Sequence, residues 1–349
     1  MNKGKLILKN IVLLNDTSFE NHHGCNIVIE NIKRNLEKRD IKLLATNPIG
    51  IDWKKNASFL NNLNQSDGVI INAEGTIHDD SDYAYSLLEI VNYTNKPCFL
   101  INMTYQNNSE KFSELVSKFR KIYVRETFSK KELIKNNIDS EVVPDMTFYA
   151  LKKNYVLKDK KKVYITDSHD IKKSEKLYKI AEKNKITFLP IIAPFEKYSN
   201  LNGFFKKLKF NFFNNYGSFI EKSKTLKYKY KRFILVDNED DLLENIRNSS
   251  FLISARFHAI CLSLHFKVPF VAISSNTFKI ESLLSDIGLN KRRIIDIKEL
   301  NDFEKVNRKS NFFSKEELNK IEDYINDANK RIELMFNEIN LIIENNDAK

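Results

Sequence analysis

Arg256, His258 and Lys279 are the residues whose types and spacing most directly suggest chemistry, and the chemistry is that of a bound anion. The segment Ser254-Ala255-Arg256-Phe257-His258-Ala259 follows the apolar run Phe251–Ser254 and leads into a second apolar stretch ending at Phe266, the pattern of a strand-to-helix turn. A helix N-terminus offers unbonded backbone N–H groups and a partial positive charge, and an arginine there adds a planar fork matched to phosphate or carboxylate. A histidine beside it titrates near neutrality, so it can give or take a proton at the anion. The next strand end, Ser274-Ser275-Asn276-Thr277-Phe278-Lys279, brings an amide and a lysine to the same edge. The plain structural alternative is an arginine paired with an acid and a histidine that caps its helix.

The first half supplies a different set. The run Gly68–Asn72 ends in Ala73-Glu74-Gly75-Thr76-Ile77-His78-Asp79-Asp80, which suits sugar hydroxyls, with Glu74 a candidate base on one of them. The loop from Asn15 to Asn26 holds Asn21, His22, His23 and Cys25. Paired histidines near a cysteine suggest a metal, but adjacent residues usually point apart, and the same holds for His78, Asp79 and Asp80. No metal site is therefore expected, and substrate hydrogen bonding is the reading for the histidines. Arg125 with Glu126, and Asp145 after Pro144, add two more polar strand ends.

These loops need elements to hold them. Short β-branched runs alternate with helical periodicity, which predicts parallel strands joined by crossover helices. In the first half the strands fall at Leu6–Leu14, Lys42–Ala45, Gly68–Asn72, Cys98–Asn102, Lys121–Val124 and Glu141–Val143, and the helices at Asn26–Lys38, Tyr83–Tyr93, Glu110–Phe119 and Ser129–Asn136. A lysine-rich stretch, Lys152–Lys162, separates a second series: strands Val163–Thr166, Thr187–Ile192, Phe233–Val236, Phe251–Ser254 and Phe270–Ile273, with helices Asp240–Ile246, Ala259–Phe266 and Phe278–Ile287. Ser314 and Glu317 form a capping box that opens a last helix with an apolar face running from Leu318 to Ile342. The expectation is α/β: two tandem doubly wound, Rossmann-like domains at 1–155 and 156–313, and a C-terminal helix, 314–349, that crosses them. Ligands in such sheets bind at the carboxyl ends of the strands.

Composition narrows the function classes. The chain has 349 residues, long enough for two domains, and no stretch reaches the length of a membrane-spanning helix. Three scattered cysteines give neither a disulfide framework nor zinc spacing, which fits a reducing, cytoplasmic compartment. With eight glycines and neither a G-x-G-x-x-G nor a P-loop pattern, dinucleotide and P-loop readings lack their carriers. The net charge of +11 by itself suits nucleic acid, anionic lipid head groups or an acidic small molecule. Residues 203–233 interleave lysines with phenylalanines and tyrosines, as a peripheral contact with the inner face of a membrane would require. Nucleic acid is not expected as a partner.

Taken in order, the motifs resemble the polysaccharide pyruvyl transferase family. The carriers are Arg256-Phe257-His258-Ala259, Val268-Pro269-Phe270-Val271-Ala272-Ile273, Lys279 and Ile287-Gly288-Leu289, together with Val124-Arg125-Glu126, Ser129, Pro144-Asp145 and Phe148. The His22-His23-Gly24-Cys25 and Glu74-Gly75-Thr76-Ile77-His78 loops are similar to one branch of it. The resemblance implies a fold like that of B-type glycosyltransferases and transfer of a pyruvyl ketal from phosphoenolpyruvate to a sugar of a capsule, lipopolysaccharide or exopolysaccharide, free or lipid-linked, with no cofactor. It implies donor binding by Arg256 and Lys279, with His258 as the acid at the enol carbon or the base on the acceptor hydroxyl; beside them the strand-end reading places Phe257 and Asn276 on the donor side and Glu74 as a catalytic base. Asn21, His22, His23, His78 and Arg125 are left to the acceptor. Where many members carry a glycine-rich loop this chain has Asn72-Ala73-Glu74-Gly75. The same architecture also serves glycosyl transfer from a nucleotide-activated sugar, which stays open as the alternative.

Overall fold

Runs of Ile, Val and Leu that are apolar on both faces are stable only inside a parallel sheet covered by helices. The computed structural model of the protein contains two such sheets, and it describes residues 9–20, 22–149, 162–192, 233–306 and 311–346. Residues 203–232 of the basic aromatic segment, and Asn21, lie outside the described residues. The chain forms two compact units. The first comprises the described residues of Met1–Thr17, Ile29–Met146 and Lys330–Lys349, and the second those of Ser18–Val28 and Thr147–Asn329.

In unit 1, β1 (Lys9–Asp16), β2 (Ile41–Pro48), β3 (Gly68–Asn72), β5 (Cys98–Met103), β7 (Lys121–Val124) and β8 (Glu141–Val142) pair in the order β2-β1-β3-β5-β7-β8, all parallel. A short parallel pair, β4 (Ile77–His78) with β6 (Tyr105–Gln106), stands apart from this sheet. Every residue of β3 and β5 is buried. The chain starts in the middle of the sheet and winds to one side, then the other, so the direction of winding reverses between β1 and β3. Loops at such a reversal part from each other and leave room for a ligand.

Unit 2 repeats the scheme with β9 (Lys162–Ile165), β10 (Thr187–Phe188), β11 (Ser249–Ser254), β12 (Phe270–Ile273) and β13 (Ile294–Ile295) in the order β10-β9-β11-β12-β13, again all parallel. Here the reversal lies between β9 and β11. The core on one side is built by Leu252, Ile260, Leu264, Phe270 and Leu284, and on the other by Ile165, Leu177, Phe188, Phe251 and Val271.

Differences from the expected elements have simple causes. Phe233–Val236 makes only an isolated bridge, Phe188 to Phe233, because β10 is two residues long and offers little edge to extend. Glu89 divides the expected helix Tyr83–Tyr93 into Asp82–Leu88 and Ile90–Tyr93. Helices at Ala57–Gln65 and Ile171–Lys183, each opened by an Asn or Asp cap, escape a search for apolar periodicity because their polar faces are wide. The last helix, Lys315–Asn346, begins at the expected capping box: the Glu317 N–H donates to Ser314 Oγ at 3.1 Å and the Ser314 N–H to Glu317 Oε2 at 3.0 Å.

Glu317 has a second task. Arg293 is fully buried, donating from Nη2 to Glu317 Oε2 at 2.9 Å and from Nη1 to the Asn311 carbonyl at 2.7 Å, with its guanidinium 4.4 Å from the Phe313 ring centroid. Removing one partner of a buried pair strands the other charge. Arg293→Ala should therefore cost about 3–5 kcal/mol, read as an earlier urea transition of unit 2.

Candidate functional site

The two loops at the reversal point of unit 2 carry its charged groups. Thr166 Oγ1 and Ser254 Oγ, at the ends of β9 and β11, lie 2.8 Å apart and tie the loops together, and Ser254 Oγ accepts the Arg256 N–H at 3.0 Å. Arg256 is then the residue that caps the helix Phe257–His265, in extended backbone conformation. Its guanidinium donates from Nε to Asp167 Oδ2 at 2.9 Å and from Nη2 to the same oxygen. Asp167 is wholly buried, and its other oxygen accepts the Ile191 N–H at 2.8 Å. The fork is thus held in one plane before any ligand arrives.

Around this pair the structure gathers basic side chains. His258, the second residue of the helix, is 7% exposed and meets the Phe257 ring edge to face. His22, also 7% exposed, stands edge to face with His258, ring centroids 5.4 Å apart. Burial holds the His22 imidazole well below its ordinary pKa, and the charges of Arg256, His258, His23 and His169 add to this. His169 is solvent-exposed over much of its surface, yet it is hemmed in enough that desolvation, then the charges of Arg256 and Lys279, push it down to about 4. Lys279 opens the helix Lys279–Ile287 and donates from Nζ to Asn276 Oδ1 at 3.3 Å. The charge of Arg256 thus acts on both His22 and His169, a positive potential that a polyanion would relieve.

The Gly24 backbone completes the wall. A Cβ at Gly24 would stand 2.5 Å from His258 Cβ and 2.7 Å from its Cγ and Nδ1, so only glycine lets the imidazole sit there. His23 has a structural role: Nε2 donates to the Val236 carbonyl at 3.1 Å and Nδ1 faces Glu239 at 3.2 Å, which secures the turn within unit 2.

Of the donor set expected from sequence, Arg256, His258 and Lys279 come together in unit 2, and Asn276 serves as the acceptor for Lys279. Phe257 is a core residue that backs His258. His22 and His23, expected on the acceptor side, belong to the unit of His258 because the segment Ser18–Val28 folds with it. His169 and Asp167 were not singled out from sequence. The signal available for them was the run Asp167-Ser168-His169-Asp170 directly after an apolar β-branched stretch.

Glu74 lies in unit 1, at that unit's own reversal point. It is 6% exposed, and Oε1 accepts from Thr17 Oγ1 at 2.5 Å and from Asn72 Nδ2 at 2.9 Å. Asn15 donates to the Asn72 carbonyl at 2.7 Å and accepts from the Tyr83 hydroxyl at 2.7 Å. Asn15, Glu74 and Asn102 all have positive φ (65°, 41° and 56°), tolerable for asparagine and costly for glutamate. Arg125 is joined to this network through Thr104, whose N–H donates to the Glu74 carbonyl at 2.7 Å and whose hydroxyl accepts from Arg125 Nε at 2.7 Å. Its Nη1 pairs with buried Asp145 at 3.1 Å. His78 instead sits towards the surface on β4, with Nδ1 2.8 Å from Asp79 Oδ2.

Among the described residues, one group of metal-ligating types converges: His22, Cys25 and His258, whose ligand atoms lie within 4.8 Å of one another. Three features oppose a cation there. His22 Nδ1 already accepts the Cys25 N–H at 3.2 Å, so its ring carries the proton on Nε2, and Arg256 is close enough to act on the same ring. The Cys25 thiol donates to Glu20 Oε2 at 3.3 Å.

The model of the polysaccharide pyruvyl transferase family matches residues 8–277. A search of curated proteins finds no match. Among solved structures, the UDP-GlcNAc 2-epimerase of Methanocaldococcus jannaschii in complex with UDP-GlcNAc and UDP superposes with a TM-score of 0.51 at 15% identity, over 91% of this chain and 99% of that one. The S. aureus MnaA-UDP co-structure gives 0.50 at 14% identity, over 85% and 89%. Both show the same two-domain, B-type architecture, and at this identity the likeness is one of fold.

Glu126, beside Arg125, yields a pH prediction. It caps the helix Thr127–Ile134 from full burial, accepting the Ser129 N–H at 3.0 Å and its hydroxyl at 2.7 Å. Burial pushes its carboxyl up to about 7, against the opposing pull of Ser129 and Arg125. The unfolded chain releases this proton near pH 4.5 and the folded chain near 7, so stability falls as pH rises through that window. Between pH 4 and 8 the wild type should lose about 3 kcal/mol relative to Glu126→Gln, measured by urea unfolding at each pH.

Proposed function

The chain belongs to the polysaccharide pyruvyl transferase family, and on that premise we propose that it transfers the pyruvyl group of phosphoenolpyruvate, as a ketal, onto two hydroxyls of a surface-polysaccharide sugar. The observation that carries this reading is the Arg256 fork, held in plane by Asp167 and surrounded by His22, His169, His258 and Lys279. Phosphoenolpyruvate carries both a phosphate and a carboxylate, and Arg256 and Lys279 suit these two groups. His258 is the proposed acid at the methylene carbon. Protonation makes that carbon a methyl group and leaves the adjacent carbon electron-poor. One sugar hydroxyl adds there, the bond to the phosphate oxygen breaks with its electron pair, and the second hydroxyl closes the ketal. Of the two hydroxyl protons displaced, one balances the new methyl group and one leaves on phosphate.

The acceptor is a saccharide, free or lipid-linked, and Glu74 with Thr17 and Asn72 is the proposed hydroxyl-binding group of unit 1, Glu74 serving as base. The net charge of +11 supports work at an anionic membrane face. No helix among the described residues is long and apolar enough to cross a membrane.

Incubation with phosphoenolpyruvate and a panel of surface glycans should release inorganic phosphate. His258→Asn should slow release by about 10²–10⁴-fold, and Arg256→Lys, which keeps the charge but loses the fork, should weaken donor binding. Tight binding of a nucleotide sugar without phosphate release from phosphoenolpyruvate would instead favour glycosyl transfer.

A further inference from the structure

The turn that carries His22 does two things at once. As the residue before the helix His23–Glu37, His22 caps it: Nδ1 accepts the N–H of Cys25, the third helical residue, at 3.2 Å. A backbone N–H can only donate, so Nδ1 must present its lone pair and the ring proton must sit on Nε2. The opposite edge of the imidazole is thereby a hydrogen-bond donor of fixed identity. The ring is more than nine-tenths buried, and among the described residues no group accepts from Nε2. Three further contacts fix its position. The His23 N–H donates to the Ile191 carbonyl at 3.1 Å, His22 forms an antiparallel bridge with Ile192, and the His22 ring stands 5.4 Å from that of His258. Ile191 is also the residue whose N–H holds Asp167, the partner of Arg256. The cap, the fork and His258 are therefore parts of one hydrogen-bonded assembly.

We infer that His22 is a donor-binding residue, giving its Nε2–H to an oxygen of the anionic group held by Arg256. This rests on the anion-site reading above, and it moves His22 from acceptor recognition to donor recognition. The chemistry recognised is a phosphate oxygen, which phosphoenolpyruvate offers before reaction and inorganic phosphate offers after it. A neutral donor suits this position, since it adds a directed bond without adding to the charge repulsion among Arg256, Lys279 and the histidines.

The test separates the cap from the contact. Asparagine and serine both cap helices well, so His22→Asn and His22→Ser should keep thermal stability close to wild type while removing the imidazole donor. Inorganic phosphate is titrated by calorimetry into each full-length protein. The expected result is a roughly 10- to 100-fold weaker phosphate affinity in both variants, the loss typical of a hydrogen bond to a charged group. In ¹⁵N-labelled wild type, His22 should show the Nε2-protonated tautomer, and its Nε2–H resonance should move on phosphate binding. Equal phosphate affinity in wild type and both variants, no phosphate binding by wild type, or an Nδ1-protonated ring would each overturn the inference. Weakened phosphate binding together with no turnover of phosphoenolpyruvate would leave the inference standing and remove the pyruvyl reading instead.

Discussion

Asp167 and Arg256 form the contact on which the unit 2 site depends. A guanidinium that is 7% exposed cannot remain charged in a protein interior without a partner, and removing one member of such a pair costs several kcal/mol. The carboxylate removes most of that penalty and fixes the plane of the fork. The carboxylate offsets only part of the Arg256 charge, which with that of Lys279 still acts on the imidazoles around it and gives the site its positive character. His169 is held down to about 4 first by desolvation and then by the charges of Arg256 and Lys279, so the second part of its depression would ease when an anion neutralises them.

Both units use the same topological device with different chemistry. Each sheet reverses its winding between two central strands, and each places its buried polar residues on the loops that leave those strands. In unit 1 the loops carry Asn15, Thr17, Asn72 and Glu74, whose amides, hydroxyl and single carboxylate suit the alternating donors and acceptors of sugar hydroxyls. In unit 2 they carry Asp167, His169, Arg256 and His258, a set that suits a charged group. The left-handed backbone at Glu74 is the most unfavourable local feature of the first network, and it places the carboxylate where Thr17 and Asn72 reach it.

Much of this was readable from the chain, and the parts that were not have physical reasons. The alternation of apolar runs with helical periodicity announces parallel sheets, and the capping box at Ser314 and Glu317 appears as expected because both of its bonds are local. Arg256, His258 and Lys279 could be found because they sit on two consecutive strand ends. Asp167 could not be paired with Arg256 from sequence, since the two are 89 residues apart and meet only through the β9–β11 pairing. His22 illustrates the same limit differently. Its loop precedes a helix in the first half of the chain, but hydrogen bonds from His23 to Ile191, Val236 and Glu239 draw it into the second unit, and no local pattern encodes those partners.

Gly24 shows how tightly the local and the distant are coupled. As the second residue of its helix it costs about 1 kcal/mol relative to alanine by propensity alone, and on that basis it would count as a poor choice. Yet a Cβ there would overlap His258, 234 positions further along, at 2.5 Å. Shifting the imidazole away from that wall would also disturb the edge-to-face stack with His22. The helix start therefore gives up intrinsic stability so that two histidines from distant segments can share one wall, and the capping bond from Cys25 to His22 recovers part of it by satisfying a backbone donor with the same ring that meets His258.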